Sequence, residues 1–218
     1  MKAPNDPFDS DFRGSVTMGL LGWLNQLKDQ KLRMAISLGV QTTWRELKKM
    51  PAGPERARFV HSELDNEIKK TMTLKHDEIS CRKFCTHCCY HEVMISDDEA
   101  QLMAQLAEEI LSKDDLKRLR IQAAWPEGIQ EWEKHTKTEK RCAFLDVKSK
   151  KCRIYNQRPG SCRKYFVTSP AANCADPKGY NTTLTVNHAE VLLSAAFNLP
   201  GDAGTIPKMV VKHLKDPK

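Results

Sequence analysis

A mainly α fold around an irregular, loop-rich cysteine-cluster core is what this sequence predicts, on three observations. Apolar residues recur at three- and four-residue steps through most of the chain. The gaps between those runs carry proline, glycine or a capping Ser. One stretch, rich in cysteine and proline, has little helical period.

From Ser15 to Lys49, Leu20, Trp23, Leu24 and Leu27, then Leu32, Ile36 and Val40, trace an amphipathic helix that Gly39 and the following threonines are expected to interrupt. Pro51-Ala52-Gly53-Pro54 is a break. A helix then opens at Pro54 or Glu55 and runs to about Met72, with Phe59, Leu64 and Ile68 as its apolar face. Ser96-Asp97-Asp98-Glu99 fits a capping box, because Glu99 stands three residues after Ser96 and ahead of Leu102, Met103, Leu106 and Ile110. The stripe from Leu102 to Leu111 is read as core. A further helix spans Ser112 to Ala124 and stops before Pro126, and a short one is expected over Ile129 to His135. Lys137 to Tyr180 reads as loops with short strands. Asn187, with Glu190 three residues on, is expected to cap a helix to Asn198, and Pro207 to Leu214 forms a last turn or two. The organisation expected is a helical amino-terminal region over 1–72, a cysteine-cluster domain over 73–180 and a helical tail over 181–218 packed back on it.

At 218 residues, 40% of them hydrophobic, the chain can bury one sizeable core or two small ones. A formal charge of +7 makes it basic without being polybasic. Its longest apolar stretches, such as Val191 to Phe197, fall far short of the roughly 18 residues of a membrane span. Met1 to Arg13 holds two prolines and three aspartates where a secretory leader needs a basic start and an apolar stretch, so a cytoplasmic location is expected. In a reducing compartment cysteines more often bind metal or do redox chemistry than form structural disulfides, and there are eight of them.

Cys81, Cys85, Cys88 and Cys89 form C-x3-C-x2-C-C. A two-residue spacing, as between Cys85 and Cys88, lets a tight turn bring both sulfurs to one ion. Adjacent Cys88 and Cys89 are poorly placed to share a tetrahedral ion, so one of them is expected to serve a different partner. Cys142, Cys152, Cys162 and Cys174 follow at gaps of nine, nine and eleven residues. The spacing allows two four-thiolate sites, or one cluster of four with the others structural. Between Lys134 and Tyr165 eleven basic residues face only Glu139 and Asp146. Such a cationic surround lowers thiolate pKa and offsets the charge of a thiolate metal site, and Arg158 and Arg163, inside the cysteine segment, are the best candidates for that role.

The order Cys81-Arg82-Lys83-Phe84-Cys85-Thr86-His87-Cys88-Cys89, then Cys142-Ala143-Phe144-Leu145-Asp146, then Cys152-Arg153-Ile154-Tyr155 leading to Arg158-Pro159-Gly160-Ser161-Cys162-Arg163, resembles the CxxCxxCC or YkgJ-like cysteine-cluster group of bacteria. The likeness covers residues 81–174 and all eight cysteines. It departs from the family's name in its first gap, three residues instead of two, and in Phe84, where a small residue is expected. The resemblance implies chelation of zinc or iron, and some relatives are flagellin lysine N-methylase-like.

His87 and His91 lie among the cysteines and are alternative zinc ligands, although eight thiols leave them unneeded. His61, His76, His135, His188 and His213 are read as structural or surface residues. Tyr155 and Arg158-Pro159 are expected to shape and shield the loop. No G-x-S-x-G, P-loop, G-x-G-x-x-G or H-E-x-x-H occurs. Three functions compete: a metal-binding protein whose thiolates hold zinc, iron or an iron–sulfur cluster; a protein-lysine methyltransferase-like enzyme; and a zinc-stabilised nucleic-acid binder. The last ranks lowest, because aromatic residues for stacking are few.

Overall fold

A computed structural model describes residues 11–82, 84–176 and 180–215. Met1 to Ser10, on which the reading of the amino end mostly rests, lie outside the described residues.

The amphipathic run of 15–49 folds as two helices, α1 (Met18–Gln26) and α2 (Gln30–Lys48). The break falls at Leu27–Asp29 and not at Gly39, because the Asp29 carboxylate accepts from the N–H groups of Lys31 at 2.8 Å and Leu32 at 3.3 Å and so starts a new helix. α3 (Pro54–Lys75) opens at Pro54, as expected. Its buried line is Ala57, Val60, Leu64 and Ile68. Phe59 sits one position off that line and is 44% exposed, contrary to the expectation that it belongs to the apolar face.

Two apolar cores result. One joins α1, α2 and α3 to α9 (Asn187–Phe197) around fully buried Trp44, whose ring N–H donates to the Asn198 carbonyl at 2.9 Å. Asn187 does not cap α9: Val186 precedes it and Asn187 is already helical. Glu190 turns away from the helix start, accepting from the Thr17 hydroxyl and the Lys164 ammonium, each at 2.5 Å.

The other core joins α4 (Asp97–Ile110), α5 (Lys113–Ala123) and α10 (Ile206–His213) to Ala143, Phe144 and Ile154. The capping box of α4 is present in full, with Ser96 accepting from the Glu99 N–H and Glu99 accepting from the Ser96 N–H at 3.0 Å. In front of it, β1 (Met94–Ser96) pairs antiparallel with β4 (Ala203–Thr205), Met94 opposite Thr205. Between α5 and the cysteine segment lie the short α6 (Ile129–Trp132) and α7 (Lys137–Lys140).

The two cores are bolted together by a buried ion pair. Asp98 on α4 accepts from Arg56 on α3 at 2.5 and 2.9 Å and from the Gly53 N–H at 2.7 Å. The cysteine segment is irregular, as expected: β2 (Leu145–Asp146) and β3 (Lys151–Cys152) form a two-rung ribbon, and α8 (Gly160–Arg163) is a single turn. Among the described residues no helix is long and apolar enough to cross a membrane.

Candidate metal centre

Each cysteine is delivered by short backbone contacts and not by a long element. The turn His87–Tyr90 carries Cys88 and Cys89, with the Cys89 N–H donating to the Thr86 carbonyl at 2.9 Å. Trp132 holds this turn down by donating its ring N–H to the Tyr90 carbonyl at 2.8 Å. The Cys142 N–H donates to the Cys89 carbonyl at 2.8 Å, which sets these two cysteines side by side. In the β2–β3 ribbon Cys152 stands opposite Leu145, whose own N–H donates to the Cys142 carbonyl at 3.1 Å.

Asp115 clamps both ends of this group onto the start of α5. It accepts from Arg153, next to Cys152, at 2.7 Å, and lies 3.5 Å from Arg141, next to Cys142. On the other side, Cys81 accepts at its sulfur from the Val167 N–H at 3.3 Å, and the Ser80 N–H donates to the Val167 carbonyl at 2.8 Å. The Ala171–Ala175 turn, with Cys174, packs against the His87–Tyr90 turn.

Cys162 is set by α8, whose first residue, Gly160, is pressed between α3 and α9. A Cβ there would lie 2.4 Å from the Leu193 side chain and 2.7 Å from Leu64, so only glycine fits. The Gly160 N–H donates to Glu99 at 2.7 Å. Glu99 is buried and also faces the His61 ring nitrogen at 3.0 Å. Arg163 is buried too, donating to Asp65 at 2.5 Å and to the carbonyls of Arg158 at 2.7 Å and Asn156. It therefore braces the loop and is not the charge beside the thiols that its place in the sequence suggested. Arg158 does stand there: it stacks on Tyr155 at 4.2 Å, lines the cavity, and its charge favours the thiolates of Cys88 and Cys152.

Seven of the eight cysteines, all but Cys174, line one cavity of about 650 Å³. Its remaining wall is largely apolar, with Met103, Phe144 and Ile206, and partly basic, with Arg82, Lys140, Lys150, Lys151 and Arg158; no carboxylate stands among the described lining residues. His91 lines the cavity and His87 does not. Phe84 sits in the cysteine loop at φ +70°, a conformation that a bulky residue adopts only under constraint, which accounts for the expectation of a small residue there.

All eight thiols are free. Burial pushes Cys81, Cys152, Cys162 and Cys174 up from the usual thiol range and takes Cys142 up to about 12. The hydrogen bond between the two adjacent thiols raises Cys89 and brings Cys88, the exposed member, down to about 7. Among the described residues, no three His, Cys, Asp or Glu side chains already stand as a closed set around an ion position. Seven of the thiols share a cavity, so loading means drawing them in and displacing their protons. The donor set fits zinc or iron: soft sulfur ligands, no competing disulfide, and walls that favour negative content.

No curated protein and no solved structure matches the chain. Residues 80–178 match the model of the CxxCxxCC family, described as "Putative zinc- or iron-chelating domain".

Proposed function

We propose that this chain is a cytoplasmic metal-binding protein in which Cys81, Cys85, Cys88, Cys89, Cys142, Cys152, Cys162 and Cys174 supply thiolates to zinc or iron. Residues 73–180 are the metal-binding unit, and the helices of 1–72 and 181–218 close over it. The observation that carries this reading is the convergence of seven thiols, from segments up to 81 positions apart, on one cavity without carboxylates among its described lining residues. Bound zinc would staple the segment, whereas an iron–sulfur cluster would add electron transfer or sensing.

The basic window supports metal binding over nucleic-acid binding. Lys134, Lys140, Arg141, Arg153, Arg163 and Lys164 are spent on internal ion pairs with Glu131, Glu133, Asp115, Asp65 and Glu190. Lys137, Lys151 and Arg158 lie over the rings of Tyr90, Phe84 and Tyr155. Charges engaged in this way do not form an open phosphate-binding stripe.

Protein purified without oxygen is expected to carry zinc or iron by elemental analysis, its absorption spectrum separating colourless zinc from a coloured iron centre. Cys85→Ser, Cys88→Ser, Cys152→Ser and Cys162→Ser should each cut metal content sharply, because a hydroxyl stays protonated where a thiolate binds. Full retention after Cys85→Ser contradicts the ligand assignment.

A further inference from the structure

Resting on the chelation reading, we propose that the opening of the cysteine cavity is a binding site for a small organic anion with a flat aromatic body, a site whose two sides the metal ties together. Chelation needs the thiols. It does not need the rest of this opening.

A cavity of about 650 Å³ is far larger than an ion and falls in the range of pockets that take organic ligands. Its floor is apolar and buried, with Leu119, Trp132 and Phe144. The residues that both line the cavity and reach solvent define its mouth, and they are of two kinds. Phe84, Tyr155 and Tyr165 are three of the five exposed aromatic residues among the described ones. Lys150 and Lys151, both exposed, and half-buried Arg158 stand with them.

Cations and rings face each other there. Lys151 lies over the Phe84 ring at 5.5 Å and Arg158 over the Tyr155 ring at 4.2 Å. Such a contact uses a ring face and leaves N–H donors available. Among the described residues, none of the side chains of Lys150, Lys151 and Arg158 donates a hydrogen bond or pairs with an acid, whereas Lys140, Arg141, Arg153, Arg163 and Lys164 nearby are all spent on carboxylates. Gathered at one opening, these donors suit a single carboxylate, sulfonate or phosphate group, to which Arg158 can offer two parallel N–H groups. The exposed rings supply faces and edges for a flat body. A bare inorganic anion would leave the rings unused, and a neutral ring would leave the cations unused.

Backbone strain marks the same place. Among the described residues only Phe84, at φ +70°, and Lys150, at φ +54°, are non-glycine residues at positive φ, and both line the cavity. Phe84 belongs to the first cysteine block and Lys150 to the turn between β2 and β3, so the Lys151–Phe84 contact spans the mouth between the two segments that the metal ties together. Ligand and metal are therefore expected to strengthen each other's binding.

The test is calorimetric titration of the zinc-loaded full chain with naphthalene-2-sulfonate, a flat aromatic anion and a poor metal ligand, with zinc content measured on the same samples. One probe per chain should bind, about tenfold or more tighter than neutral 2-naphthylmethanol, which lacks the charge, or methanesulfonate, which lacks the ring. At full zinc occupancy, Arg158→Gln combined with Lys151→Gln should weaken the probe about tenfold or more, and Tyr155→Leu should weaken it several-fold. Lys148→Gln, exposed but outside the cavity, should leave its affinity unchanged. Chelator-treated protein should bind the probe about tenfold more weakly. Equal affinity for the neutral alcohol, an unchanged affinity in the Arg158→Gln, Lys151→Gln protein, or equal affinity with and without zinc overturns the site. So does absence of probe binding by protein that holds zinc. A chain that takes up neither zinc nor iron overturns the chelation reading itself, which keeps the two failures distinct.

Discussion

Stripping the metal with a strong chelator is expected to open residues 81–93 and 141–176 to protease while α1, α2, α3 and α9 stay resistant. The helices keep their own core, with Trp44, Leu64 and Leu193 fully buried and no cysteine in the cluster they form. The cysteine-bearing stretches on either side of α4 and α5 have less support. Their strands are two residues long, α8 is one turn, and their thiols, Cys174 excepted, line the cavity. Four-thiolate zinc contributes on the order of 10 kcal/mol or more of folding free energy in small sites, far more than two rungs of ribbon can supply. Digestion followed by peptide mapping, with and without chelator, reads this out. Unchanged cleavage across 81–93 and 141–176 after complete removal of the metal means that the metal does not hold the segment.

Glu99→Ala is expected to destabilise the protein by about 3–5 kcal/mol, because it leaves buried partners of a charged group without their acceptor. The groups stranded are the His61 ring, the Gly160 N–H and the Ser96 N–H, which come from α3, α8 and the start of α4. The damage should reach the metal, since Gly160 begins the turn that holds Cys162; zinc affinity should fall even though Glu99 is no ligand. Burial works to raise the Glu99 carboxyl, and the hydrogen bonds from His61, Gly160 and Ser96 outweigh it, so its pKa lies below the ordinary value of 4.5. A group depressed in the folded state stabilises above its unfolded pKa and loses that contribution as pH falls through the folded one. The wild type should therefore lose stability below about pH 4.5 more steeply than Glu99→Gln, which has no carboxyl to protonate there. Acid loss of metal is common to both proteins, so the difference between their urea midpoints is the readout. Parallel acid limbs would remove Glu99 from this role.

Glu99 also shows where the sequence stops being informative. The Ser96 to Glu99 spacing is local and reads directly as a cap, and the cap is there. The other duties of the same carboxylate involve residues 38 and 61 positions away, and no periodicity encodes them. The helices were legible because their apolar residues repeat at a fixed step, and the errors came where a single residue decided the outcome. Asp29 moved the break in the first helical run, and Phe59 fell one position outside the buried line. The pairing of β1 with β4 joins three-residue strands more than a hundred positions apart, too short to show alternation. Among the cysteines, the two-residue spacing points to metal-ligand chemistry, but which turns pack together, as the Ala171–Ala175 turn does on the His87–Tyr90 turn, leaves no mark on spacing. Arg163 illustrates the same limit: its place among the cysteines suggested a charge for the thiols, and folding spends it on Asp65 and two carbonyls.

The most direct measurement of thiolate chelation is X-ray absorption at the metal edge of the wild-type protein purified without oxygen. A first shell made only of sulfur, at about 2.3 Å for zinc, is the expected result. A shell of nitrogen and oxygen atoms at about 2.0–2.2 Å would place the metal away from the cysteines and contradict the account.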